Sequence, residues 1–456
     1  MMVNEVTMNQ MPHLFVIANI EHASPRIPAL VFPLAKQGWN VTLLTPQLMS
    51  NADIELGLPE GFQDHVNILE TPRYADIYEL PRKLMRCLKI VNRKKTSGYT
   101  EALKSKEIGK SFQNRLIDKL LVYYQAIFAY PDTEKAWYQS AVSLSCEYLR
   151  GKPGSIVLSS SPYPVCHLIA KQVCVQLDLK WVADFRDPWS QNHNYKMPIW
   201  RKLIDQITEV NSLKTANLII TVSDGVAIKL RQLHHAPVHV VRNGYQPSCR
   251  YVDVSENSTK IKISYTGTVY PNHQSLLPIL DALVIVRGQN INIGREFELN
   301  LFGVDRTYLD KEIKDRGLEE VVSHRRRLPR TEIRQIQQHS DILLFLNWET
   351  QGEYGIFPLK FLEYLDSRRP ILATGKSSDI EIANILQKTK AGISIATAPE
   401  IAEYLQDVRL EFKNSGCIAY RGIDTEISKY SFENSSSDLA KILQQVSPVL
   451  DNQKNE

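Results

Sequence analysis

The first half of the chain alternates short apolar runs with segments whose apolar residues recur at helical spacing. The apolar runs predict strands at 13–20, 40–45, 155–161, 180–185, 217–222 and 238–241. The helix-period segments predict helices at 27–37, 165–177, 198–216 and 224–233. Strands joined through helices need crossovers, so this pattern predicts a mostly parallel sheet with helices on both faces.

A polar stretch without periodicity, residues 246–260, interrupts the alternation and is typical of a linker. Beyond it the pattern predicts strands at 261–266, 297–302, 341–346, 371–374 and 393–396, and helices at 274–287, 306–315, 331–338, 357–366, 379–387 and 399–412. We therefore predict two α/β domains in tandem, an N-terminal one at 1–245 and a C-terminal one at 261–424, with a C-terminal segment at 425–456.

Composition places the chain among ordinary globular proteins. Of its 456 residues, 43% are hydrophobic and 23% are charged, and the net charge of +4 is too small to predict a nucleic-acid-binding surface. No run of roughly 18 apolar residues predicts a membrane span, and the N-terminus lacks the features of a secretory signal. The six cysteines form no C-x-x-C pair, so we expect reduced thiols, no metal site and a cytoplasmic protein.

One segment departs from this even charge distribution. Residues 82–119 contain 12 Lys and Arg against 3 Asp and Glu, a local charge of +9 that leaves −5 for the rest of the chain. Apolar residues among these charges are compatible with amphipathic helices. The segment is interpreted either as a membrane-surface patch that meets anionic headgroups or as a solvated basic insertion. No recognised RNA-binding module accompanies it.

In an open parallel sheet, ligands bind beyond the carboxyl ends of the strands, so polar residues there are site candidates. Arg26 follows the first strand and begins a helix, where it is either aimed at a ligand phosphate or paired with a carboxylate. Asp184, Arg186 and Asp187 follow a later strand, beside the bulky residues Phe185 and Trp189. They form either an anion-binding group or an ion-pair brace between loops.

The predicted C-terminal domain holds the densest group of candidates. Gly267, flanked by Thr266 and Thr268, follows a strand and would let the backbone approach a ligand closely. Phe357 and Pro358 stand at a helix start, whose amides suit a diphosphate. On that helix Lys360 and Glu363 are either phosphate and ribose ligands or a solvent-exposed ion pair. The arginines of 325–330 face either phosphate or solvent.

These motifs together resemble the glycosyltransferases of the GT-B fold, specifically family 4. The resemblance spans about residues 13–410. It rests on a P-x-K-x-x-E-Y-L segment at 358–365 and on the segments WVADFRDPW at 181–189, VVRNGY at 240–245 and ISYTGTVYPN at 263–272. It implies two Rossmann-like doubly wound domains that face an interdomain cleft. It also implies a nucleotide-sugar donor held by the C-terminal domain, an acceptor held by the N-terminal one, retention of anomeric configuration, and a C-terminal helix that packs back on the first domain.

The chain departs from the family pattern in three places. Gly355 stands where many members have the first glutamate of E-x7-E, and Glu353 is a displaced candidate for that role. The loop at 268–274 lacks the arginine and lysine that commonly hold the diphosphate, so Lys360 or the arginines of 325–330 would replace them. Arg186 stands where a histidine is common.

The prediction is therefore a retaining glycosyltransferase that acts on a lipid-linked or polysaccharide-precursor acceptor, with UDP as the default nucleotide and no cofactor. Alternatives are a non-catalytic nucleotide-sugar-binding protein and a nucleotide-sugar epimerase. The predicted catalytic residues are Arg186, Asp187, Lys360 and Glu353. The predicted donor ligands are Thr266, Gly267, Thr268, Arg327, Leu328, Phe357, Pro358 and Glu363, and the predicted acceptor-side residues are Arg26, Asp184 and Asn243. The basic segment would place the enzyme at the inner membrane face.

Overall fold

A computed structural model of the chain describes residues 13–20, 25–48, 58–72, 112–192, 197–247, 259–350, 357–376 and 381–447. Its described residues form two sheets. Compact packing divides them into two units. The first contains the described residues up to Thr221, Lys229–His239 and those from Leu439, and the second contains Val222–Ile228 and Val240–Asp438. The sequence-predicted boundaries at 245 and 261 stay predictions, and most of the predicted linker lies outside the described residues.

The first sheet has seven strands in the order β3-β2-β1-β4-β5-β6-β7. Strands β1 to β6 pair in parallel. The central strands are buried on both faces, which explains why they appear in the sequence as continuous apolar runs. The strands are β1 (His13–Ile17), β2 (Asn40–Pro46), β3 (Val66–Thr71), β4 (Ile156–Ser160), β5 (Lys180–Phe185), β6 (Leu218–Thr221) and β7 (Val238–Val240).

The second sheet has six parallel strands in the order β10-β9-β8-β11-β12-β13. If the strands of each sheet are numbered from 1 in chain order, both sheets contain the spatial order 3-2-1-4-5-6. This is the doubly wound order, in which ligands bind where the strand order reverses. The strands are β8 (Ile261–Thr266), β9 (Phe297–Phe302), β10 (Val322–Arg325), β11 (Ile342–Leu346), β12 (Ile371–Thr374) and β13 (Gly392–Ile395). The predicted fold of two doubly wound α/β domains is confirmed.

Helices connect the strands of both sheets. Those up to β7 are α1 (Arg26–Lys36), α2 (Phe62–His65), α3 (Phe112–Phe128), α4 (Tyr138–Leu149), α5 (Pro164–Leu177), α6 (Ile199–Leu213) and α7 (Asp224–Leu233). Those after β8 are α8 (Leu277–Arg287), α9 (Ile293–Glu296), α10 (Arg306–Asp315), α11 (Arg330–Gln338), α12 (Leu359–Asp366), α13 (Glu381–Thr389), α14 (Ala398–Ser415), α15 (Asp424–Ile427) and α16 (Phe432–Val446).

Several elements differ from the sequence prediction. Strands β3 and β10 were not predicted, because they lie at sheet edges and β10 has the polar sequence VSHR. Helices α3 and α4 were also not predicted as such. The first strand ends at Ile17 rather than at residue 20. The C-terminal segment forms α15 and α16, which agrees with a predicted helix there.

Candidate functional site

The loop that follows β8 adopts a backbone conformation that depends on glycine. Gly267 adopts a φ of +124°, a backbone conformation that side chains disfavour, and an added Cβ would lie 3.5 Å from the Lys360 Nζ. The backbone N–H and hydroxyl of Thr266 both meet the Tyr364 hydroxyl, at 3.0 and 3.1 Å, and Gln337 Nε2 donates to the Thr266 hydroxyl at 3.0 Å. Helices α11 and α12 therefore fix the loop whose backbone was predicted to approach the donor.

Lys360 brings its amine to this loop. Its Nζ donates to the Tyr265 hydroxyl at 2.6 Å, and that hydroxyl donates to the Thr268 carbonyl at 2.8 Å. The amine also lies 4.4 Å from the centroid of the Tyr265 ring. Burial lowers the pKa of Lys360 to about 7, although the nearby Glu363 carboxylate opposes the shift. The Lys360 side chain is half-buried, and a partly desolvated amine with a lowered pKa marks a candidate site for an anion.

Helix α12, which carries Lys360, begins at Leu359, two residues later than the predicted start at 357. Pro358 is the N-cap residue, with extended backbone, and Leu359 is the first helical residue. The Phe357 side chain is buried and packs edge-on against Phe361 at 5.9 Å between centroids, so its ring serves the core. The first backbone amides of such a helix have no intrahelical acceptor and carry the positive end of its dipole. They are the part of this segment suited to a phosphate.

Glu363 pairs with Arg330, the first residue of α11. Its Oε1 accepts from Arg330 Nε at 3.1 Å and Nη2 at 2.7 Å. Glu363 is 18% exposed and Arg330 is 48% exposed, so the pair lies partly open to solvent. The alternative of an exposed Lys360–Glu363 ion pair is wrong, because the Lys360 amine donates to Tyr265 instead. The other arginines of this segment are exposed: Arg325 ends β10, and Arg326 and Arg327 follow it, next to the half-buried Leu328.

In the first unit, Arg26 and Asp184 form a buried brace. Arg26 Nε and Nη2 donate to the two carboxylate oxygens of Asp184 at 3.1 and 2.8 Å, and Ser160 Oγ donates to the same carboxylate at 2.7 Å. The two charged side chains are 1% and 0% exposed. The structure shows the ion-pair alternative for these two residues, since the charges neutralise each other and join α1 to β5 inside the unit. Their acceptor-side role stays a prediction.

Arg186 and Asp187, directly after β5, remain partly accessible. Arg186 Nε donates to Asp187 Oδ2 at 3.0 Å, with 23% and 34% of the two side chains exposed. Ser161 fixes the backbone of Asp187 through two hydrogen bonds of 3.1 Å. The Arg186 Nη1 atom is buried and has no hydrogen-bond partner among the described residues. This guanidinium therefore has donor capacity left for a ligand at the carboxyl edge of the first sheet.

The remaining predicted residues fall in three situations. Asn243 is buried in the second unit, two residues before Tyr245. The backbone N–H of Tyr245 donates to the Tyr430 carbonyl, and the Tyr245 carbonyl accepts the backbone N–H of Phe432. Glu353 lies outside the described residues, so its catalytic role stays a prediction. Most of the basic segment 82–119 also lies outside them, and the side chains of 112–119 are not described.

The structure adds a carboxylate that the sequence interpretation did not single out. Glu349 follows β11, and its Oε1 lies so close to Gly375 that an added Cβ would be 2.3 Å away. Burial raises the pKa of Glu349. His273 stacks on the neighbouring Trp348 at 4.4 Å between centroids and accepts the Glu349 amide on its carbonyl. Because ligands bind beyond the carboxyl ends of parallel strands, the sequence Asn-Trp-Glu directly after β11 was the signal that could have identified Glu349 as a candidate.

Two further findings concern metals and membranes. Among the described residues, no three His, Cys, Asp or Glu side chains lie close enough together to hold a metal ion. No described helix is both long and apolar enough to span a bilayer.

Comparisons with known proteins place this fold. No protein-family model matches the chain, and no curated protein sequence matches it. Solved structures do match. HepE from Anabaena, solved in complex with UDP, is 12% identical with a TM-score of 0.60 over 95% of this chain and 100% of HepE. Sucrose-phosphate synthase from Thermosynechococcus elongatus is 12% identical with a TM-score of 0.55 over 95% and 99%. A glycosyltransferase from Rickettsia africae is 12% identical with a TM-score of 0.55 over 96% and 99%.

Identities this low establish the fold alone. The chain has two Rossmann-like parallel-sheet domains of the kind found in GT-B glycosyltransferases.

Proposed function

We propose that this protein is a glycosyltransferase that binds a nucleotide-sugar donor on its second unit, at the carboxyl ends of β8 and β11. The observation that carries the proposal is the half-buried Lys360 amine beside the Gly267 loop, at the start of α12. The likeness to HepE supports it, since that protein was solved with UDP and with UDP-glucose. The pneumococcal transferase GtfA, solved with UDP and GlcNAc, is also similar, with a TM-score of 0.53 and 8% identity.

The chemistry assigns each group a task. When the sugar leaves, negative charge develops on the diphosphate, and fixed positive groups there lower the barrier. Lys360 and the first amides of α12 would supply that charge. Glu363 would release Arg330 and accept hydrogen bonds from the ribose hydroxyls, which frees the Arg330 guanidinium to approach phosphate. Glu353 or Glu349 would contact the sugar.

We propose retention of configuration and a place in family 4. The resemblance of 358–365 to the family motif supports this. With retention, the acceptor hydroxyl attacks the face that the leaving diphosphate vacates, so no enzyme carboxylate has to form a covalent intermediate. Arg186 and Asp187 would line the acceptor side in the first unit. The acceptor we propose is a lipid-linked or polysaccharide-precursor saccharide at the inner membrane face.

The test is a thermal-shift panel on wild type and Glu363→Ala. UDP, GDP, ADP, CMP and their common sugar conjugates are tested, because a ligand that binds only the folded state raises the melting temperature. We expect UDP and one of its conjugates to shift wild type and to shift Glu363→Ala much less. A protein that no nucleotide stabilises at millimolar concentration would contradict the proposal.

A non-catalytic nucleotide-sugar-binding protein is the second candidate. The observation that favours it is the loop 268–274, which carries neither of the cations common in the family. Release of nucleoside diphosphate from the donor, measured across a panel of saccharide and lipid-linked acceptors, separates the two. Donor binding without release in any acceptor mixture would favour the binding protein.

A further inference from the structure

Helix α6 of the first unit has inverted polarity. Its buried side chains include the charged residues Arg201, Asp205 and Glu209. Its solvent side is apolar, and Ile199 and Ile207 are 79% and 62% exposed. A surface helix ordinarily buries its apolar stripe and exposes its charges. The exposed apolar residues of α6 are Ile199, Trp200, Leu203, Ile204 and Ile207.

Hydrogen bonds hold the helix in this orientation. Arg201 donates to the carbonyls of Ala126 and Pro131, each at 2.7 Å, and to Asp205 at 3.0 Å. Glu209 accepts the backbone N–H of Ser190 at 2.8 Å. Rotating α6 to bury its apolar side would strip these buried charges of their partners, which costs more than the exposed surface does. The apolar side is therefore a fixed feature of the folded unit.

The neighbouring helix α3 extends the same surface. The bond from Arg201 to Ala126 joins the C-terminal end of α3 to α6. On α3, Leu120, Tyr123 and Ile127 are exposed at spacings of one helix face, together with Phe128. No charged residue occurs from 120 to 128. We call the exposed apolar residues of the two helices the α3–α6 apolar face.

The exposed charge of α6 beside this face is positive. The two acidic residues of α6, Asp205 and Glu209, are both buried, whereas Lys202 is exposed. In the sequence, residues 82–119 with their local charge of +9 run directly into Leu120. An apolar face joined to a cation-rich segment suits a surface that is apolar inside and negative outside. That combination describes an anionic lipid bilayer.

We propose that the α3–α6 apolar face binds the interface of an anionic bilayer. The apolar side chains would enter the boundary between headgroups and acyl chains, and Lys202 would meet phosphate at the headgroup level. The proposal concerns the first unit and does not depend on the donor site. Its test accordingly contains neither donor nor acceptor.

The experiment measures co-sedimentation of the full-length protein with vesicles. Vesicles of phosphatidylcholine alone are compared with vesicles that also contain phosphatidylglycerol. The variant is Leu203→Glu/Ile207→Glu. The matched control is Val175→Glu, since Val175 lies on α5 of the same unit and is 61% exposed, close to the exposure of Ile207. Circular dichroism and thermal melting check that each variant folds.

We expect wild type to sediment with the anionic vesicles and to bind neutral ones less. The double variant should bind at least about tenfold more weakly, because two charges enter the apolar boundary, and Val175→Glu should match wild type. Wild type that ignores anionic vesicles, or a double variant that binds like wild type, would overturn the proposal. So would a wild-type dimer that the double variant makes monomeric without any vesicle binding, since the face would then join two copies of the chain.

Discussion

The ionisation of Lys360 should report directly on donor binding. Burial lowers the pKa of its amine from 10.5 to about 7. At pH 7 about half of the unbound molecules therefore carry a neutral Lys360. A bound diphosphate places negative charge beside the amine and raises its pKa towards the ordinary range. Donor binding is thus coupled to proton uptake by the protein.

The size of the coupling follows from this pKa. Each donor bound should take up about 0.5 proton at pH 7 and about 0.9 proton at pH 8. The dissociation constant should then rise by nearly tenfold per pH unit above about pH 7, so affinity is lost as the pH rises. Well below pH 7 the amine is already charged in the unbound protein, and the affinity no longer depends on its titration.

The assay is calorimetric titration of UDP-glucose in buffers of different ionisation enthalpy, between about pH 6 and 8.5. UDP-glucose is preferred to UDP, whose terminal phosphate itself titrates near pH 6, as phosphate monoesters do. Lys360→Arg should keep binding but take up no proton, because arginine stays charged. Lys360→Met should weaken binding and also take up no proton. Wild type that takes up no proton at pH 7–8, or uptake that persists in Lys360→Arg, would refute the reasoning.

Four further outcomes are expected. Lys360→Met should raise the melting temperature of the unliganded protein at pH 7, because it removes a desolvated amine whose folded-state pKa lies below its unfolded value; an unchanged or lower melting temperature would count against that pKa. Glu363→Ala should weaken UDP binding by about 10–100-fold in a calorimetric titration, since hydrogen bonds to a carboxylate contribute about 1.5–3 kcal/mol. Gly267→Ala should lower both the melting temperature and the donor affinity, because a φ of +124° strains any other residue. Arg26→Met should destabilise the first unit by about 3–5 kcal/mol, followed by hydrogen exchange, because Asp184 is left buried and unpaired; Arg26→Met/Asp184→Asn should recover part of that loss.

The main strands and helices of the second unit could be predicted from the sequence because each has a clear local pattern. Strand β11, with the sequence ILLFL, is a continuous apolar run, and Pro358 marks the start of α12. Strand β10 could not be predicted, since its four residues pair only at the sheet edge and remain half polar. Local pattern carries no information about pairing of this kind.

The candidate site was predictable in its members but not in its contacts. Lys360 and Glu363 were predicted to share a helix face, yet their partners are Tyr265 and Arg330, which lie 95 and 33 residues away in the chain. Arg26 could be predicted only to be either aimed at a ligand phosphate or paired with a carboxylate. Its burial against β5 depends on the ion pair with Asp184, which lies 158 residues away in the chain. A local sequence pattern cannot predict a contact between residues so far apart.

The measurement that tests the central claim most directly is a crystal structure of the protein with UDP-glucose. The account predicts a diphosphate within hydrogen-bonding distance, about 3 Å, of Lys360 Nζ and of the first amides of α12. It also predicts ribose hydroxyls on the Glu363 carboxylate in place of Arg330. A nucleotide bound away from the Gly267 loop, with the Glu363–Arg330 pair intact, would contradict it.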